Sequence, residues 1–258
     1  MHSLLNFIPI SYTIYSRLES KKHFLSWAYL FPFFGFFAYF FYGEFSSLLI
    51  YPLFFYAVIS LYEIGYLYND IYSVKKERSP TDRVFDQWFV VNFNRLVLSR
   101  VIFVILFLFF IWMLIPFDKF VVFFTFLMLL GFSFYLHNTI RGRLNVLTFC
   151  FLSFMKYSTL LVFLNDYTLI ALTFLSFTFL RTIEYAAVKK HIPKLDFITK
   201  DFHSFRMVYY FILVVLSFFM AFNKIIDFEY VLIPLYFFIY RFFIFFCFSG
   251  FINRLKGG

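Results

Sequence analysis

The sequence predicts an all-α, polytopic transmembrane helical bundle of about eight spans, with both termini on the cytoplasmic side. Composition is the first of three observations behind this. The 258 residues are 63% hydrophobic and 28% aromatic, with 49 Phe and 20 Tyr and only 14% charged residues, an apolar share above that of an ordinary soluble domain. The second is the length of the apolar runs: Phe24 to Tyr42 and Val101 to Phe117 are each long enough to cross a hydrocarbon core of about 30 Å. The third is the placement of the positive charge. With the N-terminus inside, eighteen Lys and Arg residues fall on the cytoplasmic side, only Lys119 and Lys224 fall outside, and Lys156, Arg181 and Arg241 lie within spans. That asymmetry sets the orientation, so the net charge of +9 belongs to membrane topology and does not point to nucleic acid.

The spans are expected at 24–42, 47–68, 99–117, 120–137, 145–163, 167–188, 207–222 and 229–249. Residues 1–23 begin with a mixed apolar and polar stretch and end in a basic cluster, the pattern of a segment lying in the inner interface. The outer connections, such as Gly43 to Ser46 and Asn165 to Asp166, are short. The cytoplasmic ones at 69–98 and 189–206 are longer and charged, so function is expected to face the cytoplasm. No linker or repeat divides the chain, and 1–258 reads as one domain that is compatible with a homo-oligomer. No removable signal peptide is expected, because no short apolar core is followed by small residues at a cleavage site. Cys150 and Cys247 both sit in apolar runs, as packing residues do.

Three stretches carry the polar side chains. The second span runs out through Glu63, Asn69, Asp70, Ser73 and Glu77. If the helix continues to Glu77, the three acids repeat every seven residues and share a face. Carboxylates at such an exit suit Mg²⁺, which takes oxygen ligands from one or two carboxylates and from substrate phosphates; a solvated helix end is the alternative. After the fourth span, Arg141 and Arg143 are either inner-face anchors or donors to a phosphate. Lys156 lies too deep in the fifth span to reach water easily and is expected to face the interior and pair with an acid. The sixth span ends through Arg181, Glu184, Tyr185, Lys189 and Lys190. Their helical spacing makes a face for an anionic ligand, or an intrahelical Arg181–Glu184 pair with a basic flank.

Asn69-Asp70-Ile71-Tyr72-Ser73-Val74-Lys75-Lys76-Glu77 resembles the NDxxDxxxD motif that ends the second helix of the UbiA superfamily of intramembrane prenyltransferases. Ser73 replaces the middle Asp and Glu77 the last. The stretch from Phe134 to Asn145 is similar to the family's tyrosine-then-basic segment, and Tyr185-Ala186 to the start of its second motif, where Lys189 stands in place of an acid. This basic second face looks more like the branch that transfers 5-phosphoribosyl from phosphoribosyl diphosphate to a polyprenyl phosphate.

The resemblance implies a Mg²⁺-dependent transferase of the inner membrane with two anionic substrates, a polyprenyl lipid and a phosphorylated small-molecule donor. Asn69, Asp70 and Glu77 would hold the metal, with Asp70 and Glu77 in catalytic positions. Arg78, Arg141, Arg143, Lys156, Arg181, Glu184, Lys189 and Lys190 would bind substrate, and Tyr185 would orient the donor. Prenyl transfer to an aromatic or quinone precursor is the alternative reaction. A non-catalytic lipid-binding or scaffold protein on a decayed transferase fold is the alternative outside enzymes, prompted by Ser73 and Lys189 in place of acids.

Overall fold

A computed structural model of the chain describes residues 4–18, 20–76, 86–140 and 142–248. These residues are almost entirely helical, with no strand among them. Seven helices are long and apolar enough to cross a bilayer: His23–Tyr42, Phe45–Ser73, Phe93–Leu114, Phe117–Thr139, Gly142–Leu164, Tyr167–Val188 and Phe202–Phe222. The chain is an integral membrane protein. The eighth expected span corresponds to Leu232–Phe248, 17 residues or about 26 Å of helix, entered through a 3₁₀ turn at Phe228–Val231.

Helix ends follow local chemistry. The turn between the third and fourth spans falls at Ile115-Pro116, earlier than expected. Pro disfavours a helical residue before it, and Ile115 is extended at ψ 157°. The third span begins at Phe93 and the seventh at Phe202, several residues before the expected 99 and 207. Arg95, Arg100 and Arg206, read as cytoplasmic flanks, therefore lie within helices. The sixth span closes with His191 N–H donating to the Ala186 carbonyl and Lys190 N–H to that of Ala187. Lys190 takes a positive φ of 53°, a cap position that glycine usually fills.

Three spans contain π-helical turns, at Tyr29–Phe33, Asn69–Ser73 and Phe174–Phe179. Such turns insert an extra residue and shift the phase of the side chains that follow. One contains Asp70 and another ends two residues before Arg181.

The chain forms two compact units, Met1–Arg141 with Ser158–Asn165, and Gly142–Tyr157 with Asp166–Gly258. In the first, the second span packs chiefly against the third. Gly65 lets the fourth span approach closely, since a Cβ there would lie 2.3 Å from the Phe134 ring. The N-terminal segment, expected in the interface, folds as Ser11–Arg17. Its Tyr12 joins Leu67, Phe89 and Leu96 in a buried cluster, while Leu4, Leu5, Ile8 and Ile14 stay exposed. In the second unit the seventh span packs against the last helix, and Tyr210 stacks on Phe237 with centroids 5.8 Å apart.

Candidate functional site

Each unit holds a group of charged side chains around buried carboxylates, and in each the group draws on helices far apart in sequence. In the first unit, Glu63 and Arg100 are both fully buried. Arg100 Nε donates to Glu63 Oε2 at 3.0 Å, and its remaining nitrogens donate to the Ser99 and Ser11 hydroxyls, each at 2.9 Å. Glu63 Oε1 accepts from the Thr13 backbone N–H at 2.6 Å. Two turns further along the second span, Asp70 is gripped by both terminal nitrogens of Arg17, at 2.7 and 2.8 Å. The Tyr12 hydroxyl donates to the same carboxylate at 2.8 Å. The Arg17 guanidinium also lies 4.2 Å from the Tyr66 ring centroid, a cation–π contact. Burial lowers the pKa of Arg17, but the hydrogen bond and charge of Asp70 outweigh it and leave it raised. The short N-terminal helix thus supplies partners for both acids of the second span.

Asn69 lies beside Asp70 and donates to its Oδ1 at 3.2 Å, and Ser73 is buried on the same helix. Among the described residues of this motif, Asp70 is already engaged within the protein. Both Asp70 oxygens are engaged by a guanidinium that already brings the positive charge. No group of three or more His, Cys, Asp or Glu side chains able to hold a metal occurs among the described residues. Glu77, Arg78 and Arg141 lie outside the described residues.

The second unit gathers its charges around Glu184, which is buried. Arg181, one turn back on the same helix, donates to Oε2 at 2.7 Å. The intrahelical pair is therefore formed. Arg206, from the seventh span, embraces the same carboxylate, with Nε on Oε1 and a terminal nitrogen on Oε2 at 2.9 Å. Arg241, midway along the last helix, is near enough for its charge to act on Glu184 and Arg206. It hydrogen-bonds to neither, and its guanidinium lies 5.0 Å from the Tyr240 ring centroid. Its side chain is 7% exposed, and its Nε has no hydrogen-bond partner among the described residues. Lys156, in the fifth span, lies 5.6 Å from the Tyr157 ring centroid and within range of the Arg181 charge.

Tyr185 is held firmly beside this group. Its ring stacks on Phe149 at 4.3 Å and 6°, and its hydroxyl accepts from Asn145 Nδ2 at 2.9 Å. Asn145 Oδ1 is itself held by the Thr148 hydroxyl at 2.9 Å. Lys190 is exposed at the helix end with Lys189 half-buried beside it, and Arg143 is exposed on a 3₁₀ turn at Gly142–Leu144.

Sequence reasoning put Arg181, Glu184 and Tyr185 at one end of the sixth span and Lys156 inside the fifth, and missed Arg206 and Arg241. It also missed Arg17, Tyr12 and Arg100, the partners of the acids. One signal was present. A membrane helix tolerates an Arg or Glu in its apolar body only with a partner, so Glu63, Arg100 and Arg241 each demanded one. The acidic motif and the basic face belong to different units. Comparison with known protein families, characterised proteins and solved structures finds no match for the chain.

Proposed function

We propose that this chain is an intramembrane transferase of UbiA-like type working on phosphate-bearing substrates. The reaction we assign is transfer of 5-phosphoribosyl from phosphoribosyl diphosphate to a polyprenyl phosphate at the cytoplasmic face of the inner membrane. One observation carries this reading: Arg181 and Arg206 both bind the carboxylate of Glu184, and Arg241 is buried on the helix packed against that of Arg206. Unbalanced charge in such helices is costly, and an anionic ligand offsets the cost. The excess of basic residues on the assumed inner side supports the orientation.

In the proposed reaction an oxygen of the lipid phosphate forms a bond to the anomeric carbon of the donor. The bond from that carbon to the diphosphate oxygen breaks, and the diphosphate leaves with the electron pair. The attacking oxygen is already ionised, so no protein base is required. Positioning and charge neutralisation supply the acceleration. Arg181 and Lys156 hold phosphate oxygens inside the unit, while Arg143, Lys189 and Lys190 attract the donor at the helix ends. Tyr185, fixed by Phe149 and Asn145, orients the donor. Arg17 occupies Asp70, so no step runs through a metal at Asn69, Asp70 and Glu77, the role the resemblance implies for them.

The test is diphosphate release by the purified full-length protein in nanodiscs supplied with phosphoribosyl diphosphate and a polyprenyl phosphate. Release is expected, reduced on the order of a hundredfold or more by Arg181→Gln. Consumption of a polyprenyl diphosphate with an aromatic acceptor would move the assignment to prenyl transfer, and turnover of neither donor sinks both. The ion pairs of Glu63 and Asp70 favour a second reading, a non-catalytic lipid-binding or scaffold protein in which the acids serve only the fold. Under it, neither donor is consumed, and Asp70→Asn with Glu77→Gln leaves cellular function intact.

A further inference from the structure

The carboxylate of Glu184 already accepts three hydrogen bonds. Arg181 and Arg206 engage both of its oxygens, and Arg241 donates to neither. That arginine is buried, with Nε unpartnered among the described residues. Its position is deep: nine residues after Leu232 and seven before Phe248, or about 10 Å of helix from the nearer end. Water cannot be assumed to reach it there, and a buried guanidinium without a counter-charge is among the costlier groups a membrane helix can hold.

We infer that Arg241, with Arg206 and Arg181 beside Glu184, forms an internal subsite for a phosphate group. Three guanidiniums against one carboxylate leave two positive charges, and a phosphate monoester brings about two negative ones near neutral pH. A halide or a carboxylate brings one. The planar fork of a guanidinium also matches phosphate oxygens, which accept paired N–H donors. Glu184 then acts as a positioning residue, holding Arg181 and Arg206 so that the charge of Arg241 is added to theirs. The subsite deepens the proposed function and rests on its premise that the second unit receives a phosphate. The phosphate belongs either to a membrane lipid, whose chain would lie in the bilayer, or to a soluble ester entering from the helix ends.

The probes are inorganic pyrophosphate, dodecyl phosphate and dodecanol, added to the full-length protein in zwitterionic nanodiscs while its Tm is recorded. At least one phosphate probe is expected to raise the Tm in a saturable way, and dodecanol to leave it unchanged. Arg241→Gln is expected to weaken that binding on the order of tenfold or more and to raise the Tm of the ligand-free protein, because an uncompensated buried charge has been removed. Stabilisation by dodecyl phosphate alone assigns the subsite to a lipid, and by pyrophosphate alone to a soluble ester. Stabilisation by both assigns it to the phosphate group itself. The inference is overturned if no phosphate probe binds, or if Arg241→Gln binds as wild type does. Should the Gln variant not fold, Arg241→Lys keeps the charge without the fork; a wild-type affinity in it overturns the subsite equally. Binding without turnover leaves the subsite standing and removes the transferase, and turnover indifferent to Arg241 does the reverse.

Discussion

In the first unit two buried carboxylates meet two guanidiniums, and in the second one carboxylate meets three. Glu63 is paired with Arg100 and Asp70 with Arg17, with further hydrogen bonds from Thr13 and Tyr12, so the charges in that group balance. Glu184 shares itself between two arginines while a third stands by. The same side chains in similar helices thus do different work. A balanced group ties helices together, and an unbalanced one stores an affinity for anions. On the proposed reading, the number of charges, more than their depth, separates the structural cluster from the binding one.

The largest effect that would break this contrast belongs to Arg100. Arg100→Met leaves Glu63 buried and charged without its partner, and should cost about 3–5 kcal/mol, read as loss of folded protein in a detergent melt. The double change Glu63→Leu with Arg100→Met should recover most of it, since replacing a whole buried pair by apolar groups is close to neutral. Failure of the double variant to recover would mean that the contacts to Ser11 and Thr13, not the ion pair, hold the group together. Arg17→Met comes next, at about 2 kcal/mol, smaller because Arg17 is 16% exposed. This variant also sharpens the fate of Asp70: Mg²⁺ should leave the wild-type melt unmoved, and a rise confined to Arg17→Met would show that Arg17 occupies a place a cation can take.

The smallest effect is expected at the end of the sixth span. Lys190→Gly relieves a left-handed backbone and should stabilise the protein by about 0.5–1 kcal/mol in the same melt. If diphosphate release is unchanged in that variant, Lys190 serves the helix cap; if release falls, its charge attracts the donor as proposed.

Much of the fold was legible because membrane insertion is decided locally. Apolar length located the helices, and Gly43 and Asn165 marked turns where the chain does turn. The errors lay where charge interrupts an apolar run. Starting the third span at 99 gave Arg95 and Arg100 to the cytoplasm, yet the helix runs on through both because Arg100 is satisfied by Glu63. Arg206 misled in the same way at the start of the seventh. Of the ion pairs, Arg181 and Glu184 sit one turn apart and were readable from periodicity. Arg100 with Glu63, Arg17 with Asp70, and Arg206 with Glu184 are separated by 37, 53 and 22 residues, and no helical rule connects them.

Apolar length and the positions of helix-breaking residues are properties of short windows, so they sufficed for an all-α membrane protein and for the order of its spans. The identity of each buried charge's partner is a property of which helices pack together. Only the tertiary arrangement decided that the N-terminal helix neutralises Asp70 while the third span neutralises Glu63, and that Arg241 is left without a bond to the carboxylate that Arg181 and Arg206 share.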